Sequence, residues 1–170
     1  DTSGVTTMIY MFYAECAECG SKSAFDQDLG WCVDNDVGLI LAFVNAQCES
    51  ISCGVDEQGV SCPFPTPRPT TLPTPRPTVT PMPTATPLVA DDSTIRTAVA
   101  LWFSDNAAAM STYGPISKWD TSGVTDMSYL FCGASWCDNT AAASFNEDIS
   151  TWDTSGVTDM SYMFAYASAF

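Results

Sequence analysis

The residues best able to do chemistry are eight cysteines and twenty carboxylates, and no histidine accompanies them. Ser-His-Asp and Cys-His relays and His-ligated zinc are therefore excluded. No P-loop or GxGxxG phosphate cradle occurs. Cys16-Ala-Glu-Cys19 has the spacing of a redox dithiol. Such a dithiol needs a helix N-terminus and a depressed thiolate pKa. Glu15 and Glu18 oppose a thiolate, so a structural disulfide is the better reading. A zinc set of Cys16, Cys19, Cys32 and Cys48 lacks a suitable context. Asp26 with Asp28, and Asp34 with Asp36, offer hard oxygen ligands for calcium. DNDVG lacks the full calcium-loop pattern, however, and the plain alternative is a solvated acidic surface with Asp capping turns. The reading is thus no catalytic residue, no cofactor beyond possible calcium, and no enzyme.

A second chemistry belongs to residues 63–87, PFPTPRPTTLPTPRPTVTPMPTATP, with 10 Pro and 8 Thr in 25 residues. Proline removes backbone donors and fixes φ, which leaves polyproline II. Thr/Pro composition is also that of O-glycosylated stalks. The expected acceptors are Thr66, Thr70, Thr71, Thr74, Thr78, Thr80, Thr84 and Thr86, with Pro65, Pro67, Pro69, Pro73, Pro75 and Pro77 if hydroxylated. The alternatives are a bare spacer or a ligand for an SH3-type domain. The latter is an intracellular role that the cysteine count disfavours. Asn139-Thr140-Ala141 fails as an N-glycosylation sequon.

The formal net charge is −15, from 5 Lys+Arg against 20 Asp+Glu. Nucleic-acid backbones and anionic membranes are therefore poor partners. The longest apolar run, Val37 to Val44, is too short to span a bilayer. An even and high cysteine count suits an oxidising compartment, so an extracellular or cell-surface location is expected. The sequence has no initiator Met and starts within a repeat, from which we expect a processed chain or a window on a longer one.

These groups are positioned by three regions. Residues 1–62 carry −9, residues 63–87 carry +2 and residues 88–170 carry −8. The flanks contain an internal repeat: DTSGVTTM at 1–8, KWDTSGVTDMSYLF at 118–131 and TWDTSGVTDMSYMF at 151–164. Phe145 to Phe170 gives a period of 25 residues, in the solenoid range. Phe145, Ile149 and Trp152 suit a short extended segment. Val157, Met160, Phe164 and Ala167 fall on one helical stripe, with Thr158 as the cap and Asp159 in the first turn. One such unit cannot bury its Phe, Trp and Met face alone, whereas stacked neighbours can. Phe12–Phe25 and Phe131–Phe145 are longer by seven and eight residues than Phe164–Phe170, and these insertions carry Cys16/Cys19 and Cys132/Cys137. Each is expected to close on itself as Cys16–Cys19 and Cys132–Cys137. Residues 92–103 read as an amphipathic capping helix started by Asp92 or Ser93. FDQDLGWCVDNDVGLILAF begins as a repeat and then departs into a cysteine and a hydrophobic strand, which reads as the closing cap. Among its three possible pairings, Cys32–Cys48 with Cys53–Cys62 is the one expected.

The pattern DxSxWDxSxVTxMxxMF resembles the BspA-like leucine-rich-repeat surface proteins of bacteria and some unicellular algae. The matching residues are Phe145, Asn146, Asp148, Ile149, Ser150, Trp152, Asp153, Ser155, Val157, Thr158, Met160 and Phe164. The resemblance covers nearly everything outside residues 63–87. It implies an α/β fold of LRR-like solenoid repeats, here in two partial modules joined by an extended polyproline II linker. Residues 1–62 would be the C-terminal end of one module and residues 88–170 the capping helix and first repeats of the next. It implies a surface or extracellular assembly and no catalytic residues. The expected function is a structural component of an extracellular fibre or coat, with copies of itself end to end and O-linked glycans as partners. A surface adhesion or recognition module for a protein or glycan is the alternative.

Overall fold

The computed structural model describes residues 2, 4–14, 25, 31–34, 36–48, 53–57, 86–137 and 139–170. The region after residue 86 begins with strand β3, Val89–Asp91, then helix α1, Asp92–Ser104, and helix α2, Asn106–Tyr113. The predicted amphipathic helix is present. Its N-cap is Asp91 rather than Asp92 or Ser93: the Asp91 carboxylate accepts from the Ser93 and Thr94 amides, and the Thr94 hydroxyl answers the Asp91 amide. That frees the Asp92 carboxylate for the neighbouring layer. Strand β4, Asp120–Gly123, pairs in parallel with β3. Strands β1, Trp31–Val33, and β2, Val55–Glu57, form a second parallel pair.

The repeats stack as layers in the order 120–133, 153–167, 2–14 and 36–46. Parallel bridges join Asp126 to Asp159, Asp159 to Thr7 and Thr7 to Gly38. From there, alternate amides of each layer donate to carbonyls of the next. Met127, Tyr129, Phe131 and Gly133 donate to Asp159, Ser161, Met163 and Ala165. Met160, Tyr162, Phe164 and Tyr166 donate to Thr7, Ile9, Met11 and Tyr13, and Met8, Tyr10, Phe12 and Ala14 donate to Gly38, Ile40, Ala42 and Val44.

This ladder overrides the helical stripe predicted over 157–167. An α-helix would commit those amides to carbonyls four residues back; here they are committed to the next layer. The chain instead turns. Met163, Leu130, Met11 and Ala42 donate to the carbonyl three residues earlier, with the residue before each at positive φ: Tyr162 57°, Tyr129 60°, Tyr10 56° and Leu41 55°. The hydrophobic strand expected at Val37–Val44 is this same series of turns. The Asp-x-Ser pairs of the motif are turns closed by side chains. The amides of Ser122, Ser128, Ser150, Ser155 and Ser161 donate to Asp120, Asp126, Asp148, Asp153 and Asp159.

Identical positions stack into rows. Val124, Val157, Val5 and Val37 are buried, as are Met127, Met160 and Met8. Phe131, Phe164, Phe12 and Phe43 follow at centroid separations of 5.4, 5.4 and 5.7 Å. Phe145, Phe170 and Phe25 form a neighbouring row at 5.7 and 6.4 Å, as their predicted equivalence requires. Phe103 of α1 closes both rows edge-on, against Phe131 and Phe145. Burying each Phe contributes roughly 1.5–3 kcal/mol, so the stack gains stability with every added layer.

Candidate functional site

Three features distinguish this stack: the joint between its two halves, its unlike ends, and a tyrosine row on one face. The joint sets residues 2–14 on residues 153–170. Besides the ladder, Thr6 Oγ1 donates to Thr158 O at 3.0 Å across 152 residues of sequence. The Thr7 and Ser161 hydroxyls meet at 3.1 Å. Residues 2–14 thus continue the column of residues 120–167.

The α1 end is closed by two charged side chains. Arg96 Nη1 donates to Ser128 O at 2.7 Å, and Nη2 donates to Asp126 O at 3.3 Å and pairs with the Asp126 carboxylate at 3.0 Å. Asp92 accepts from the Thr125 and Asp126 amides at 2.6 and 3.0 Å. The Asp126 and Thr125 amides, with the Thr125 hydroxyl, hold the Asp92 carboxyl below its ordinary value. Arg96 and Asp92 therefore present to the first layer the donors and acceptors that another layer would present. Sequence reading missed both, although a charged pair four residues apart on a capping helix was visible as a signal.

At the other end, the amides of Leu39, Leu41 and Phe43 have no hydrogen-bond partner among the described residues. Ile40 and Leu41 are 65% and 42% exposed there.

On one face Tyr129, Tyr162 and Tyr10 stack at 4.7 and 4.8 Å, nearly coplanar in orientation. Desolvation pushes the Tyr162 hydroxyl above its ordinary pKa, reinforced by Tyr129 and Tyr10. Trp136, 55% exposed, meets Tyr166 edge-on. The ring faces within the row are spent on each other, so edges and hydroxyls are what the row offers.

The cysteine expectations divide. Cys132–Cys137 forms as expected, with a Cα separation of 6.0 Å, and closes the insertion that carries Trp136. Cys48 bonds Cys53 at a Cα separation of 4.8 Å, so neither Cys32–Cys48 nor Cys53–Cys62 forms. The physical reason is local: the Cys53 amide already donates to Cys48 O, and φ of 50° at Cys53 folds the chain back on itself. Cys16–Cys19 and Cys62 lie outside the described residues, as does the Cys32 side chain.

Of the calcium candidates, Asp34 and Asp36 are exposed beside the 34–37 turn, and Asp26 and Asp28 lie outside the described residues. Among the described residues, no three His, Cys, Asp or Glu side chains converge as a metal cage. Thr86 is exposed; the other expected glycosylation positions lie outside the described residues. No described helix is long and apolar enough to cross a membrane.

A cavity of about 470 Å³ lies beside the joint, between the Ile149–Trp152 segment and Phe25, Trp31 and Phe170. A second, of about 450 Å³, separates Arg96 and Val99 from Tyr129 and Trp136.

A family described as Mycoplasma protein of unknown function, DUF285, matches residues 103–170. That span contains both long copies of the DTSGVTDM unit. No curated protein and no solved structure matches the chain.

Proposed function

We propose that the protein is a structural component of an extracellular fibre or cell-surface coat. In this reading it is built from LRR-like α/β solenoid modules of the BspA type, joined by O-glycosylated Pro/Thr segments. The observation that carries the reading is the joint: residues 2–14 continue the stack of residues 153–170 through ladder bonds and aligned rings. Among the described residues the joint contains no covalent tie. Residues 58–85 run between the two halves, and 28 residues at ~3.1 Å each reach roughly 85 Å. Four layers at ~4.8 Å need only about 15–20 Å. The same contacts are therefore open to a neighbouring chain, and exchange of layers between identical chains yields an assembly from one interface.

The charge sets the conditions. Both halves are acidic, so association strengthens as salt screens them. Light scattering of the full chain at physiological salt, over rising concentration, is expected to show species that grow beyond the monomer. A monodisperse monomer throughout contradicts the fibre reading. Mass spectrometry of the 63–87 peptide is expected to exceed the sequence mass; an unmodified mass contradicts glycosylation.

The tyrosine row with Trp136 favours a second reading, adhesion through one face to a protein or glycan. Trp136→Ala and Tyr129→Ala would then reduce adhesion to a cell surface and leave assembly unchanged.

A further inference from the structure

The repeat itself builds a pair of matched phenols. Tyr129 and Tyr162 fill the same position of two successive units, in SYLF and SYMF. Their backbones are held alike. Tyr129 N donates to Ser161 O and Tyr162 N to Ile9 O, while the Cys132 and Ala165 amides donate to Tyr129 O and Tyr162 O. Both residues take positive φ, 60° and 57°, so both side chains leave their layers in the same direction. The rings lie face to face, with 4.7 Å between centroids and planes within 7°. Because the backbones match, the carbon ortho to each hydroxyl faces its counterpart.

The other tyrosines of this face are placed differently. Tyr10 covers the second face of Tyr162 at 4.8 Å, but Tyr13 stands edge-on against it at 5.0 Å. Tyr166 meets Tyr13 and Trp136 edge-on as well. Tyr129 is 48% exposed, whereas Tyr10, Tyr13, Tyr162 and Tyr166 are half-buried. An oxidant in solvent therefore reaches Tyr129, and its ring has room to swing its edge towards Tyr162. Cys132 and Cys137, in the adjoining loop, are bonded to each other. Neither offers a thiol hydrogen to quench a radical there.

We propose that the Tyr129–Tyr162 pair is an oxidative cross-linking site, at which a peroxidase-type oxidant using hydrogen peroxide joins the two rings as dityrosine. Each phenol gives up one electron and its hydroxyl proton, leaving a phenoxyl radical with spin on the ortho carbons. The two radicals combine in a new carbon–carbon bond. Each bonded carbon then passes its hydrogen to its own ring's oxygen, which restores both phenols. Two electrons and two protons leave the chain in all, and they reduce one hydrogen peroxide to two waters. Stacking makes this coupling intramolecular, so it outruns encounters between separate chains. The bond ties the layer of residues 120–133 to that of residues 153–167. The site does not rest on the fibre reading, because both tyrosines lie in the continuous stretch 120–167.

The test is treatment of the dilute full chain with a haem peroxidase and hydrogen peroxide, read by dityrosine fluorescence and peptide mapping. The expected product is a monomer lighter by two hydrogens, with the peptides containing Tyr129 and Tyr162 joined. Tyr129→Phe and Tyr162→Phe should each lose that product. Phenylalanine keeps the stacked ring, so the loss reads coupling rather than folding. Tyr113→Phe, whose site packs on Trp119 instead, should retain it. In concentrated urea the product should scatter over many tyrosine pairs. Absence of dityrosine in the folded chain, preferential coupling of other tyrosines, or the same product distribution in urea overturns the proposal.

Discussion

The two ends of the stack solve the same problem differently. At the α1 end, Phe103 closes the phenylalanine rows, Trp102 meets Trp119 edge-on, and Arg96 with Asp92 satisfies the backbone edge. At the other end Phe43 closes one row, Cys48–Cys53 fixes the turn beyond it and β2 lies beside β1, while the amides of Leu39, Leu41 and Phe43 have no hydrogen-bond partner among the described residues. Covering apolar surface and terminating a hydrogen-bond ladder are thus separate tasks. A helix does both only because it carries the right charged side chains. Among the described residues the two ends are therefore unlike, one closed by a charged helix and the other by a disulfide-tied turn and the β1–β2 pair.

The largest expected effect comes from the shared core. Phe131 is fully buried and touches both rings of the rows and the capping helix. Phe131→Ala should cost about 3–5 kcal/mol in denaturant unfolding, since a cavity opens where three elements meet. Next is the staple at the end away from α1. Replacing Cys48 and Cys53 by serine should lower stability by about 2 kcal/mol through lost loop-closure constraint. At the closed end, Arg96→Ala removes the guanidinium from two carbonyls and from the Asp126 carboxylate, which keeps only its Ser128 donor. Because the side chain is 39% exposed, the loss should be nearer about 1–2 kcal/mol than the value for a buried charge. Arg96→Lys should recover only part of it, because a point charge cannot serve two carbonyls as a fork does. If Arg96→Ala were instead costless, the distinction between the ends would fail.

Acid should act on both kinds of turn. Asp120, Asp148 and Asp153 are held below their ordinary pKa by the hydroxyls and amides of Ser122, Ser150 and Ser155, and Asp91 by the Thr94 amide and hydroxyl. A depressed folded-state pKa contributes stability that is present above the unfolded value of about 3.9 and is lost as pH falls through the lower folded value. Thermal melts should therefore be flat near neutrality with respect to these groups and decline below about pH 4. The smallest effect on stability belongs to the exposed Ile40 and Leu41 side chains. Ile40→Asp with Leu41→Asn should leave unfolding nearly unchanged, yet reduce any association made through that surface in light scattering.

Much of this was readable from residues. The recurrence of Val, Met and Phe in DTSGVTDMSYMF named the buried rows, and the Phe145/Phe170/Phe25 equivalence located the insertions despite their different lengths. The cysteine pair inside one insertion announced its own bond. The turns were not readable, because the spacing of Val157, Met160, Phe164 and Ala167 also suits a helix. What decides against it is the ladder to Thr7, Ile9, Met11 and Tyr13, a contact across about 150 residues that local pattern does not encode. Tyrosine at positive φ gave no warning either, since that conformation is disfavoured for a bulky residue and is held here by its layer neighbours. The pairing of Cys48 with Cys53 was one of several possible connectivities, and Arg96 had no visible partner until the layers were stacked.

The central claim is that residues 2–14 complete the column begun by residues 120–167. Thr7 and Ser161 meet hydroxyl to hydroxyl at 3.1 Å across that joint. Thr7→Cys with Ser161→Cys should therefore form a disulfide on mild oxidation, identified by non-reducing peptide mapping. At low concentration the bond should lie within one chain, and at high concentration a growing share should link two chains, as exchange of layers requires. Failure of the 7–161 bond to form in either way would contradict the account.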